Sequence, residues 1–123
     1  MVAFSPTVFD AFFAEEDGSP IVMVNQIRFK PDGGREKYYD YLHMARPILA
    51  RFGAEILFGG DGQPVLTTGD AQDWDAVVLV RYPQRSAFKA MVDDPDYQVA
   101  FKVGASAIEE IVLQPVTPND KMN

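Results

Sequence analysis

Cysteine is absent from this chain, and histidine and tryptophan occur once each. Without a thiol there is no disulfide framework, no thiol nucleophile and no cysteine metal site. His43 has no second imidazole at helical or turn spacing, so a zinc-type ligand set is incomplete. Positive charge is also scarce, with 11 Lys and Arg against 18 Asp and Glu and a net charge of −7. Such a chain repels phosphate backbones unless its cations cluster. Arg28, Lys30, Arg35 and Lys37 are too dispersed for that, so no nucleic-acid partner is expected. No apolar run approaches the ~20 residues that span a bilayer. The first basic residue is Arg28, and Asp10, Glu15 and Glu16 interrupt the early apolar residues, unlike a secretory leader. The expectation is a cytoplasmic protein with no membrane partner.

Several familiar chemistries are missing as well. The glycines of Gly59-Gly60-Asp61-Gly62-Gln63-Pro64 have the wrong spacing for a dinucleotide fingerprint, and no Gly-Lys-Ser/Thr follows. Gly104-Ala105-Ser106-Ala107-Ile108 lacks the second glycine of a nucleophile elbow and falls within a helical pattern. Asp93, Asp94 and Asp96 form either an all-carboxylate site or, as favoured, the capped start of a helix, and they do not match a calcium loop. No metal or cofactor is expected.

What the chain does have is apolar surface: 47% of its 123 residues, enough for one domain with one core. Ser5-Pro6 opens a short helix whose Val8, Phe9, Phe12 and Phe13 share a face. This is an arm packed on its own domain or docked on a partner. A strand is expected over residues 21–29, then a Pro31-Asp32-Gly33-Gly34 turn. A long helix follows over 35–52, with Tyr38, Tyr41, Leu42, Ala45, Ile48, Leu49 and Phe52 on its buried face. Pro47 is expected to kink it and Gly53 to end it.

Residues 54–58 and 65–68 read as strand, joined by the glycine-rich segment as a bent strand or small hairpin. Residues 74–82 read as a strand covered on both faces, with Val77-Val78-Leu79-Val80 at its centre. A second helical region starts after Pro83, breaks at Asp94-Pro95 and continues with Tyr97, Ala100, Phe101, Ala105 and Ile108 inward. A last strand covers 111–113.

The order strand, helix, strand, strand, helix, strand predicts an α+β ferredoxin-like βαββαβ sandwich with an extra N-terminal helix. Its parts are a helical arm at 1–19, the domain at 20–116 and a tail at 117–123. Apolar residues on both faces of the strands imply a second sheet over the open face, and the simplest supplier is another copy of the chain. The expected partner is therefore itself, as a homodimer.

The stretch Val77-Val78-Leu79-Val80-Arg81-Tyr82-Pro83-Gln84-Arg85-Ser86-Ala87-Phe88, followed by Asp94-Pro95-Asp96-Tyr97-Gln98, resembles the domain of unknown function 1330 family. The Tyr38/Tyr41 helix ending at Phe52-Gly53 fits the same pattern. The resemblance spans about residues 21–114. It departs in the leading helix and in Tyr82-Pro83, where Phe-Pro is commoner. It implies membership of the dimeric α/β-barrel superfamily, in which two subunits join their sheets. That superfamily includes cofactor-free monooxygenases, isomerases, cyclases, haem enzymes and members without known activity, so the fold alone names no function.

The remaining site candidates are polar residues inside strands. Alternation places Met23, Asn25, Ile27 and Phe29 on one side of the first strand and Val24, Gln26 and Arg28 on the other. Likewise Asp75, Val77, Leu79 and Arg81 oppose Trp74, Ala76, Val78, Val80 and Tyr82. Either Asn25 or Gln26 faces the barrel. Asn25 is favoured, although helices would equally claim its apolar companions. A buried amide needs a partner, whether a ligand, a water or a structural hydrogen bond. The expected ligand is a small, largely apolar organic molecule, with Asn25, Gln26, Arg81, Tyr82 and Trp74 as binding residues. If there is catalysis, the amide polarises a carbonyl, Arg81 stabilises an enolate, and His43 or a tyrosine moves protons. The rival is a non-catalytic dimerisation or interaction module. Tyr38, Tyr41, Tyr82 and Trp74 either line a cavity mouth or belong to plain core.

Overall fold

A computed structural model describes residues 4–70 and 73–123, so the first three residues of the expected arm lie outside it. Among the described residues four α-helices and four strands follow the expected order, with a short 3-10 turn at Asp120–Met122. They are α1 (Pro6–Ala14), β1 (Ile21–Phe29), α2 (Gly34–Arg51), β2 (Glu55–Asp61), β3 (Ala76–Tyr82), α3 (Arg85–Asp93), α4 (Pro95–Ala107) and β4 (Ile108–Val116). The sheet is antiparallel throughout, in the order β2-β3-β1-β4. Among the described residues no helix is long and apolar enough to cross a membrane.

Local chemistry sets the element ends. The Ser5 hydroxyl accepts from the Val8 amide at 3.4 Å, and Pro6 takes the first helical position of α1. Asp94 closes α3 and caps α4, accepting from the Asp96 and Tyr97 amides at 2.9 and 3.2 Å. Burial disfavours the charged form of Asp94, but those amides and Arg51 outweigh it and hold the carboxyl below the usual range. The aspartate trio is thus absorbed locally: Asp94 and Asp96 pair with Arg51, and Asp93 pairs with Lys89. Gly53 follows α2 at φ 73°, a left-handed conformation that a side chain would strain.

Three expectations are corrected. Residues 65–68 are not a strand. Gly62 N–H donates to Asp75 O at 2.9 Å and closes the β2–β3 ladder just before β3 begins, so no strand remains for 65–68 to pair with. β2 is instead one bent strand, with a bulge between Ile56 and Phe58. The last strand is longer than residues 111–113, because nine-residue β1 offers partners from Val22 to Phe29. Ile108 therefore leaves the α4 stripe and opens β4 opposite Phe29. Pro115 fits within β4 because this is an edge strand.

The core lies between one sheet face and the helices. Ile21, Met23, Ile27 and Phe29 of β1 and Ala76, Val78, Val80 and Tyr82 of β3 are buried with α2, α3 and α4 residues. The opposite face carries Val22, Val24, Gln26 and Arg28 of β1 beside Val77, Leu79 and Arg81 of β3, all half-buried. Phe58, Val112 and Val116 on that face are exposed. Among the described residues no second layer covers it.

Candidate functional site

The sheet does not seal against its helices everywhere. A cavity of about 480 Å³ opens between β1, β3 and β4 on one side and α1, α2 and α4 on the other. That size lies within the usual range for small-molecule sites. Its walls are mostly apolar, among them Leu42, Leu49, Val78, Ile111 and Leu113.

The few polar groups come from predictable places. Tyr38 and Tyr41 project from the inward stripe of α2, Tyr97 from the first turn of α4 and Tyr82 from the end of β3. Tyr41 and Tyr97 hydroxyls lie 2.7 Å apart. In such a pair one hydroxyl donates and the other accepts, leaving the acceptor's proton available. Their meeting depends on Gly104, because a Cβ there would stand 2.8 Å from Tyr41 Cδ1. The Tyr82 hydroxyl donates weakly to Met91 Sδ at 3.9 Å. The Tyr38 hydroxyl has no hydrogen bond among the described residues. Burial pushes all four phenols above their ordinary range, so they are neutral donors at physiological pH.

Asn25 adds an acceptor. Its Nδ2 donates to Met23 O at 3.3 Å and Val78 O at 3.2 Å, which fixes the amide. Its Oδ1 accepts nothing among the described residues, and Asn25 lines the cavity. The site therefore offers a fixed carbonyl oxygen and neutral phenols in an apolar enclosure. It suits a molecule with an apolar body and a hydroxyl or carbonyl group.

Helix α1 covers part of this cavity. Phe9, Phe12 and Phe13 set their rings 6.0, 6.3 and 6.2 Å from that of Phe88 on α3. Arg85 donates to Phe12 O at 3.1 Å. Glu16 Oε1 accepts from the Ser86 amide at 2.8 Å, and chiefly this bond lowers its pKa to about 2. The arm is thus packed on its own domain, with Phe4, Val8, Phe9 and Phe12 forming cavity wall.

The expected site residues divide. Asn25 and Tyr82 reach the cavity, together with Tyr38 and Tyr41. Gln26 and Arg81 lie on the open sheet face, and His43 is exposed on α2. Trp74 precedes β3 and lies under the Arg28 guanidinium, 4.6 Å from its ring centre, away from the cavity. The favoured face assignment is corrected: Met23, Asn25, Ile27 and Phe29 face the helices, because that row is the more apolar and the helices need it. Tyr97, absent from the expected site, was visible only as one member of the inward α4 stripe.

Architecture and cavity together define a ferredoxin-like α+β domain with an apolar pocket under its helices. Residues 32–113 match the family described as Domain of unknown function (DUF1330), and the chain belongs to that family. No curated protein matches the sequence. Among solved structures, a protein of unknown function from Rhodopseudomonas palustris, RPA0582, is 29% identical, with 97% of each chain covered and a TM-score of 0.87. A dimeric ferredoxin-like protein of unknown function from Jannaschia sp. is 10% identical, with 81% of this chain and all of that one (100%) covered, at TM-score 0.62. Hydroxynitrile lyase from Passiflora edulis is 12% identical, with 85% of this chain and 97% of that one covered, at TM-score 0.61. The latter two share the fold alone.

Proposed function

We propose that this protein binds a small, largely apolar organic molecule in the cavity beneath its helices, as a homodimer closed through the open sheet face. The observation that carries the reading is the cavity itself: about 480 Å³, apolar, with Asn25 Oδ1 and the Tyr41–Tyr97 pair as its fixed polar groups. The same groups support chemistry on a bound carbonyl or hydroxyl. A neutral phenol donates a hydrogen bond to an oxygen that gains charge, and the phenol pair relays a proton between its oxygens. A cofactor-free isomerase-like or oxygenase-like activity is the finer form of the proposal, and the fold of the Passiflora enzyme is compatible with catalysis on such a scaffold.

The open face supports the dimer. Val22, Val24, Val77, Leu79, Val112 and Val116 form a sheet surface that no other layer covers among the described residues. A two-fold pairing covers such a patch with itself. The dimeric description of the Jannaschia protein agrees with this. A dimerisation module without ligand is the competing reading, and the cavity is what disfavours it.

The test is ligand-induced stabilisation. A neutral apolar alcohol such as 1-octanol should raise the melting temperature in proportion to ln(1 + [L]/Kd). Ala105→Phe, which fills the cavity from α4, should abolish the shift while light scattering still reports twice the 13.7 kDa chain mass. An equal shift in both proteins would refute the cavity as the site. A monomer at high concentration would refute the dimer.

A further inference from the structure

We propose that the ligand carries a single carboxylate, held outside the apolar cavity by Arg46; this rests on the cavity reading above. Beside the cavity lies a second cleft of about 300 Å³, and Tyr38, Leu42 and Val78 line both. The two spaces thus adjoin along these three residues. Arg35, Tyr39, Leu42 and Arg46 recur at helical spacing on α2 and all line the cleft. Its far wall is Gly59-Gly60-Asp61 of β2, where Gly59 puts no side chain beside Val78.

The two arginines differ. Arg35 Nη1 donates to Asp61 Oδ1 at 2.6 Å and to Tyr39 Oη at 3.3 Å, and its guanidinium lies 4.9 Å from the Phe29 ring centre. Asp61 neutralises Arg35. Arg46 has no counter-ion, hydrogen bond or ring contact among the described residues. The cleft therefore holds one uncompensated positive charge on a chain of net −7. One free cation beside an apolar cavity matches one anionic oxygen pair on an apolar body. A guanidinium binds a carboxylate with two parallel hydrogen bonds. A doubly charged phosphate would bring an unbalanced charge next to Asp61.

The experiment compares octanoate with 1-octanol, which share a chain length and differ in the head group. Calorimetric titrations at pH 7 and low salt use wild type, Arg46→Gln and Ala105→Phe. Wild type should bind octanoate roughly three- to ten-fold tighter than octanol, with the gap shrinking as salt rises. Arg46→Gln should erase the gap and leave octanol affinity unchanged. Ala105→Phe should weaken both ligands. Equal binding of the two ligands by wild type overturns the carboxylate proposal and leaves the cavity reading standing. So does a preference for octanoate that survives in Arg46→Gln. Equal weakening of both ligands by Arg46→Gln makes the residue structural and overturns the proposal. Failure of both ligands to bind wild type overturns the cavity reading and this one with it.

Discussion

Gly104→Ala sets two effects of opposite sign against each other. Alanine is the better helix former, and in a free helix the change would stabilise by about 1 kcal/mol. Here the new Cβ would stand 2.8, 3.1 and 3.2 Å from Tyr41 Cδ1, Cγ and Cε1, which is inside ordinary contact distance. The ring must shift, and overpacking of this kind costs about 1–3 kcal/mol. A shifted Tyr41 also loses its 2.7 Å bond to Tyr97, a further loss of about 1 kcal/mol. The balance is a destabilisation of roughly 1–3 kcal/mol, read as a lower urea midpoint or as a melting temperature about 3–5 °C lower per kcal/mol. Because the clash is with one ring, the sign should reverse when that ring is removed. In a Tyr41→Ala background, measured in a sulfate buffer that supports the weakened fold, Gly104→Ala should stabilise by roughly 0.5–1 kcal/mol. Stabilisation in the wild-type background, or destabilisation in both, would refute the packing argument.

Asn25→Leu should change ligand response and leave dimer mass unaltered, whereas Gln26→Leu, on the open sheet face, should leave ligand-induced melting shifts intact; thermal shift and light scattering separate the two. Asp94→Ala removes the α4 cap and should lower stability by about 1 kcal/mol in urea titration. The Ser86 amide, above all, lowers the pKa of Glu16 from its ordinary 4.5 to about 2 in the folded chain. A lowered folded pKa stabilises above the unfolded value and is lost as pH falls. Docking of α1 should therefore hold above pH 4.5 and weaken toward pH 2, seen as a lower protection of the Ser86 amide relative to its intrinsic exchange rate at each pH, and Glu16→Gln should remove that dependence. Ultraviolet titration should show Tyr38, Tyr41, Tyr82 and Tyr97 ionising only above the range of an ordinary phenol, because burial favours their neutral forms.

The fold was readable where one short stretch decides an element. Ser5-Pro6 and Asp94-Pro95 carry both a cap and a first-turn proline, and α2 carries a helical stripe. Strand alternation correctly separated Asn25 from Gln26 and Val78 from Val77. It did not say which row meets the helices. That choice depends on summed burial over β1 and β3, and Ile21, Met23, Ile27, Phe29, Ala76, Val78, Val80 and Tyr82 outweigh a row containing Gln26, Arg28 and Arg81. The ambiguity is physical: Met23, Ile27 and Phe29, the apolar companions of Asn25, suit the lining of a barrel cavity as well as a face packed on helices, and here the helices claim them. The phenol pair was beyond sequence reasoning. Tyr41 and Tyr97 are 56 residues apart and meet only because α2 and α4 pack on one another at Gly104.

The claim that a small apolar molecule occupies the space under the helices is tested most directly by locating one there. Methyl-labelled protein titrated with 1-octanol can be read through intermolecular nuclear Overhauser effects. The account predicts contacts from the probe to methyl groups of Leu42, Val78 and Leu113, which line the cavity. It predicts none to Val77, Leu79 or Val112 on the opposite sheet face. Contacts confined to that opposite face, or no saturable contacts at all, would contradict it.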